Sequence, residues 1–479
     1  MNTQLFKSIV CTEKKDKFTN CNLSSISSDG RLIAVNDKFL AMSHKNKGEI
    51  VVVDSSNPSI IKENSPCFKN NNGNVLDLEF SPFNNNLLVS SNDNNSVLLW
   101  NIPEGGLKQN ITKEFNIYNK HKNKVFFVTF NPIVKEVLCS GTLGSEIHVW
   151  NLEKSDSYIE LKSEDNPIMI SWSPNGNLIG VSTKNKSINI FDPRKKEMIL
   201  KKIINEGNIF AKFVWVDNNL FASTGWNKKR YANFLKLWDI RKINEEITSI
   251  ELNKNNTMSS YPFINRKSKL IYIEGKDEPY IHLYNYNEEK IQKVTDYKCD
   301  ESSHCTVLFN RKCFEDEKYE IDRFARYSQK SKKISFVSIS LKQSQMFIES
   351  YLPKETKEIT LTYERWIKGE NIKSDENNNN TIKNESPKIN DSQKEIKTEK
   401  KDIINQKKES QEIKLKEKNG NFGKTTKMSD FLNQNNAKPN PSGNSLSIFL
   451  AIFCNLPFIY SSSLSIFLSF HINNLLKLQ

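Results

Sequence analysis

Three sets of residues in this 479-residue chain are of types that chemistry uses, and their spacing decides what each can do. Gly423, Lys424 and Thr425 have the ending of a phosphate-binding loop, but Lys418 stands where the loop's first glycine is required, so no backbone cradle for phosphate is expected. Cys299, His304, Cys305 and Cys313 form the one Cys/His group. The gaps of five and seven residues between its cysteines do not match the paired C-x-x-C spacing of structural zinc sites. The six histidines are otherwise scattered, and the chain has neither a G-x-S-x-G nor an H-E-x-x-H motif. No enzymatic activity, cofactor or metal is expected. The third set is basic: Arg194, Lys195 and Lys196, and then Lys228, Lys229 and Arg230 within NKKRY at residues 227–231. Clusters of this kind act at a distance, presenting cations to an acidic surface.

The net charge of +13, of which about +8 falls on residues 1–370, points the same way and admits acidic proteins, anionic lipid or a membrane surface as partners. Eight cysteines spread along the chain, and an N-terminus without an apolar run, suggest a reducing cytoplasm. The many Asn and Lys residues, including the Asn runs at 70–72, 84–86 and 377–380, read as compositional drift and carry no functional weight.

The elements that must position the basic clusters come from a repeat. An apolar strand ends in Ser-Pro or Asn-Pro; a polar turn, a strand leading into small residues, a second turn and a strand closing on an aromatic follow. Residues 75–102, 125–152 and 167–192 are clear copies. Phe80 to Trp100 and Phe130 to Trp150 are each 20 residues apart, and Trp172 to Phe191 is 19. A longer copy at 209–241 holds the one Trp-Asp dipeptide, Trp238-Asp239, and an enlarged second turn that contains Lys228, Lys229 and Arg230. Weaker copies occupy 20–54 and 257–286, and residues 305–347 are rich in strand-forming types. Short β-branched and aromatic strands bounded by Asn, Gly, Asp and Ser predict four-stranded blades. A single blade cannot bury both its faces, so the blades must close around an axis, with Trp100, Trp150, Trp172 and Trp238 packed between neighbours. The expected fold is all-β: a seven-bladed WD40 propeller, with residues 5–10 pairing into the last blade to cover its open edge. His121 precedes a copy where a WD40 turn histidine would make a structural hydrogen bond.

Several segments are more specific than a generic WD40 pattern. AVNDKFLAM at 34–42, LWNIPEGGL at 99–107, Asp192-Pro193-Arg194, Gly225-Trp226 followed by LKLWD at 235–239, and EIDRFARYS at 320–328 resemble the coronins, a family that binds actin filaments. ISFVSISLKQSQMFIESYLP at 334–353 and LTYERWIKGEN at 361–371 resemble the extension with which that family's propeller closes and which folds back beneath it. The resemblance covers about residues 5–371. It implies a cytoplasmic, cytoskeletal scaffold that binds filamentous actin and not nucleic acid; a WD40 scaffold for a complex unrelated to actin is the alternative. It raises Lys228, Lys229 and Arg230 above Arg194, Lys195 and Lys196 as candidate actin contacts, while Trp366, a lone Trp in an otherwise polar stretch, gains from burial and is expected to anchor the extension under the propeller. Shortly before the blade-one segment, where many coronins carry a basic residue, this chain reads Leu23-Ser24-Ser25-Ile26.

Residues 1–371 therefore read as propeller plus extension, and 372–444, rich in Lys, Glu, Asn and Ser, as a disordered linker. Ile and Leu are too sparse at 394–418 for the heptad seam of the family's coiled coil, which leaves oligomerisation open. Residues 445–479 form an apolar tail with a single Lys and no acid. Its 25-residue stretch at 446–470 is long enough for a membrane anchor, but Asn455, Pro457 and Ser461–Ser463 interrupt it. Sequence displaced from another frame or an intron is the favoured reading.

Overall fold

A computed structural model describes residues 9–25, 30–69, 73–154, 158–204, 210–227, 232–252, 260–309, 320–342 and 360–371, all within one compact unit. The linker and tail expected at 372–444 and 445–479, with Cys313, Gly423, Lys424 and Thr425, lie outside the described residues.

The described strands form seven antiparallel four-stranded sheets, the blades of a propeller. Blades 1 to 6 occupy 33–69, 75–118, 125–162, 167–203, 212–251 and 260–303. Blade 3 shows why the pattern closes. In its second strand, Val137–Thr142, side chains alternate between two faces: Val137 and Cys139 join a core with Ile170, Ile179 and Val181 of blade 4, whereas Leu138 joins Val89, Val97 and Leu99 of blade 2. Both faces of the sheet are thus buried against neighbours, which is the condition the repeat anticipates.

Blade 7 consists of Cys305–Leu308, Glu320–Ser328, Lys333–Leu341 and, as its outermost strand, Ile9–Glu13. The register runs from Ile9 opposite Leu341 to Glu13 opposite Val337. The closing strand therefore lies later than the 5–10 expected; residues 5–8 are outside the described set. Glu13 fastens it, accepting from Lys17 Nζ at 2.8 Å and from the Asp300 backbone N–H of blade 6 at 3.2 Å.

The extension needs a larger correction. Residues 320–328 and 334–341 are not a segment beyond the last blade but its second and third strands. The alternation in Lys333–Leu341 is the reason: Ile334 and Phe336 pack toward blade 1, and Val337 and Ile339 toward blade 6. What remains of the extension among the described residues is 360–371, with one short helix, Tyr363–Ile367.

The order of strands divides the propeller's loops between two faces. Connections from second to third strand, and from fourth strand to the next blade, emerge on what we call the upper face; connections from first to second and third to fourth emerge on the lower face. At the second-to-third turns of blades 1, 2, 3, 4, 6 and 7 one residue adopts positive φ: Gly48, Asn95, Ser145, Lys186, Asp277 and Lys332.

Candidate functional site

The blade tryptophans are positioned by a recurring hydrogen bond. Trp100, Trp150 and Trp238, on third strands, donate Nε1–H to the hydroxyls of Ser90, Ser140 and Ser223 on the adjacent second strands at 2.9, 2.7 and 2.9 Å. A large ring is thereby buried without orphaning its donor. Trp172 sits on a first strand and donates instead to the Thr129 carbonyl of blade 3 at 3.3 Å. Asp239 accepts from the Arg241 backbone N–H at 2.8 Å and from its guanidinium at 2.7 Å, closing the turn after Trp238. Burial raises the Asp239 carboxyl, but Arg241 outweighs burial and holds it below the usual range.

His121 has the structural role expected of it. Its Nε2 lies 2.7 Å from Ser140 Oγ. Ser140 Oγ, which accepts from Trp150 Nε1–H, thus bridges the Trp150 and His121 rings. His148 stacks on His121 with ring centroids 3.9 Å apart. Burial lowers both histidines, to about 4 and about 3.

The extension crosses the lower face beneath blades 3 and 4. The Leu361 backbone N–H donates to the Ile133 carbonyl at 3.3 Å. Trp366 is fully buried, meets Trp172 edge-on at 6.1 Å and donates Nε1–H to the Gly176 carbonyl at 3.0 Å. Gly176 has φ +67°, and a Cβ there would stand 2.4 Å from Asn131 Oδ1, so no other residue fits the turn. Asn371 Oδ1 accepts from Asn177 Nδ2 at 2.8 Å and from Arg194 Nη1 at 3.2 Å.

That last contact bears on the basic clusters. Arg194 lies in the third-to-fourth turn of blade 4 on the lower face, with only 9% of its side chain exposed, and is engaged by Asp192 at 3.3 Å as well as by Asn371. Lys195 and Lys196 are the exposed cations of that cluster, and Lys195 lies 4.0 Å from Asp192. Lys228, Lys229 and Arg230 lie outside the described residues. The described base of their hairpin, Asn227 paired with Ala232, ends at the upper face. Arg194, Lys195 and Lys196 thus lie on the face opposite to the one at which that described base ends.

Residues that the sequence reading did not single out line the axis. First strands of all seven blades surround a cavity of about 790 Å³. Arg31 reaches Asp77 at 2.9 Å and Glu79 at 3.1 Å, while Asp77 Oδ2 also accepts from the Val128 backbone N–H at 2.9 Å, so the pair links blade 2 to blade 3. Arg326 and Glu274 form a second ion pair at 2.7 Å, and the buried Lys212 ammonium lies 4.9 Å from the Tyr261 ring. The available signal was polar: Asp77 and Glu79 interrupt the apolar strand VLDLEF at positions otherwise given to the core.

Comparisons with known proteins agree with this architecture. A family described as Domain of unknown function (DUF1899) matches residues 5–59, and the WD domain, G-beta repeat family matches residues 63–101. Coronin-2A of Bos taurus is 25% identical over 363 residues, which is 72% of this chain and 67% of that protein. Coronin-like protein crn1 of Schizosaccharomyces pombe is 22% identical, covering 75% of this chain and 61% of that protein. The coronin-like protein of Saccharomyces cerevisiae is also 22% identical, with 75% and 57% covered. The match thus spans about three fifths of the two yeast proteins. Among solved structures, the WD40 domain of Toxoplasma gondii coronin superposes with a TM-score of 0.71 at 20% identity, covering 80% of this chain and 98% of that domain. The chain is thus similar to coronins over about three quarters of its length and shares the seven-bladed propeller fold of a coronin WD40 domain.

Proposed function

We propose that this protein is a non-enzymatic, cytoplasmic scaffold of the actin cytoskeleton that binds actin filaments through its propeller. The observation that carries the reading is similarity to coronins across about three quarters of the chain, extending through the WD40 ring. The excess positive charge supports it, since filament surfaces are acidic and attraction to them needs no catalytic group. Lys228, Lys229 and Arg230 are the first candidates for the contact. They share one enlarged hairpin, and loops on rigid scaffolds are where partners are met. Lys195 and Lys196 are the second candidates, with Arg194 holding their turn against the extension. Cosedimentation of the full chain with actin filaments tests the reading: the protein should pellet with filaments at low salt and remain in the supernatant without them.

A further inference from the structure

The first strands give the axial cavity two unlike sides. Three residues before the closing aromatics Phe80, Phe130, Trp172 and Trp215, blades 2 to 5 place Asp77, Phe127, Met169 and Lys212 in the cavity wall. The acids of blade 2 are answered within the fold. Arg31 meets both Asp77 and Glu79, and the backbone N–H groups of Val128 and Phe130 donate to the same two carboxylates at 2.9 and 2.8 Å. Across the ring, Lys212 is 1% exposed; its ammonium donates to the Ile168 carbonyl at 3.2 Å and lies 4.9 Å from the Tyr261 ring. Two more cations stand on that side, both on blade 6: Arg266 in the first-to-second turn at the lower mouth and Lys276 in the second-to-third turn at the upper mouth. Neither forms an ion pair among the described residues, and Arg266 gives two of its N–H donors to the Trp215 carbonyl at 3.1 and 2.9 Å. The turn itself does not call for Arg. In blade 3 the same place is Pro132, and both turns are closed alike: Asn131 Oδ1 accepts from the Ile133 and Val134 N–H groups, and Asn265 Oδ1 from those of Lys267 and Ser268.

We propose that the axial cavity binds a small organic anion, its oxyanion head against the Lys212 ammonium and its apolar body along Phe127, Met169, Val214 and Phe263. The cavity's volume of about 790 Å³ falls within the range of small-molecule sites, about 300–1,000 Å³, which pair an apolar lining with a few convergent polar groups. Burial disfavours an ammonium at this depth, and an anion entering beside it gains from a charge that salt and water screen little. Arg266 and Lys276, one at each mouth, raise the local concentration of anions at the entrances. One negative charge fits better than several, because Asp77 and Glu79 face Lys212 across the ring and share a single Arg31.

The inference does not rest on actin binding, and its test uses the full chain without filaments. Decanoate is the probe, titrated by calorimetry, with the neutral decanamide as comparison. Decanoate should bind, and decanamide should bind at least about tenfold more weakly, as expected for loss of a hydrogen bond to a charged group. Lys212→Met keeps the length of the side chain and removes its charge, and should weaken decanoate binding more than about tenfold. Lys108→Met removes the same charge from an exposed lysine in the third-to-fourth connection of blade 2 and should leave binding within about twofold of wild type. Melting curves show whether the Lys212 variant keeps its fold. If it does not, the double variant Arg266→Met/Lys276→Met, changed only at the two mouths, decides instead and should weaken binding more than about threefold. The inference is overturned if decanoate does not bind, if decanamide binds as tightly, or if the folded cavity variants bind decanoate as tightly as Lys108→Met.

Discussion

The indole N–H of Trp366 donates to the carbonyl of Gly176 across 190 residues of sequence, at 3.0 Å, and the same carbonyl accepts from Asn131 Nδ2 at 2.8 Å. One oxygen in a turn that only glycine can form thus joins blades 3 and 4 to the extension. Trp366→Ala should cost about 3–5 kcal/mol, the usual range for emptying a fully buried aromatic site. Trp366→Phe should cost less, because it keeps most of the packing and loses chiefly the hydrogen bond. Chemical denaturation followed by tryptophan fluorescence checks this, and a loss under about 1 kcal/mol for the Ala variant would mean that the extension docks without its anchor.

The stacked pair His121 and His148 predicts a specific acid sensitivity. Both are held neutral in the fold, with values lowered by burial to about 4 and about 3, while in the unfolded chain they titrate near the ordinary 6.5. The unfolded state therefore binds protons first as pH falls, so stability is intact above about 6.5 and is lost steadily below it until the folded-state values are reached. At pH 5 the loss should be about 2 kcal/mol for each histidine. Denaturation midpoints at pH 7 and pH 5 should differ much less in the double variant His121→Asn/His148→Asn; equal pH dependence in wild type and variant would contradict the assignment.

Closure of the ring by Ile9–Glu13 predicts that deleting residues 1–13 exposes the Lys333–Leu341 edge to intermolecular pairing. The truncated protein should aggregate on expression or elute as large species on gel filtration. A monodisperse product with an unchanged melting curve would show that the strand is dispensable.

Much of this fold was legible in the sequence because the physics repeats. An aromatic must fill each gap between blades, so Phe80 to Trp100 and Phe130 to Trp150 recur at one spacing, and the Ser partners ten residues earlier follow from the same hairpin. What the sequence hid depends on remote partners. The strand Ile9–Glu13 pairs with residues more than 300 positions away, so its bounds were placed too early. Residues 334–341 and the extension are both apolar, and only pairing to Glu320–Ser328 assigns the former to blade 7. Arg194 reads as a free cation until Asn371, 177 residues on, is brought against it.

The lysines at positive φ predict a trade of charge against stability. Lys186→Gly and Lys332→Gly should each raise stability by about 0.5–1 kcal/mol where the left-handed conformation is the dominant cost. If both variants are destabilised, local side-chain contacts outweigh the backbone strain. Thermal melts of the single variants decide between these outcomes.

The central claim, an electrostatic contact between this propeller and actin filaments, is tested most directly by cosedimentation of the full chain over a salt series, beside the variant Lys228→Glu/Lys229→Glu/Arg230→Glu. Wild type should pellet with filaments at low salt and progressively less as salt shortens the Debye length from about 10 Å at 0.1 M. The triple variant should bind more than tenfold more weakly, about 1.4 kcal/mol, with an unchanged fold. Wild-type protein that stays in the supernatant at low salt would contradict the claim outright, and a triple variant that pellets as well as wild type would move the contact to another surface of the propeller.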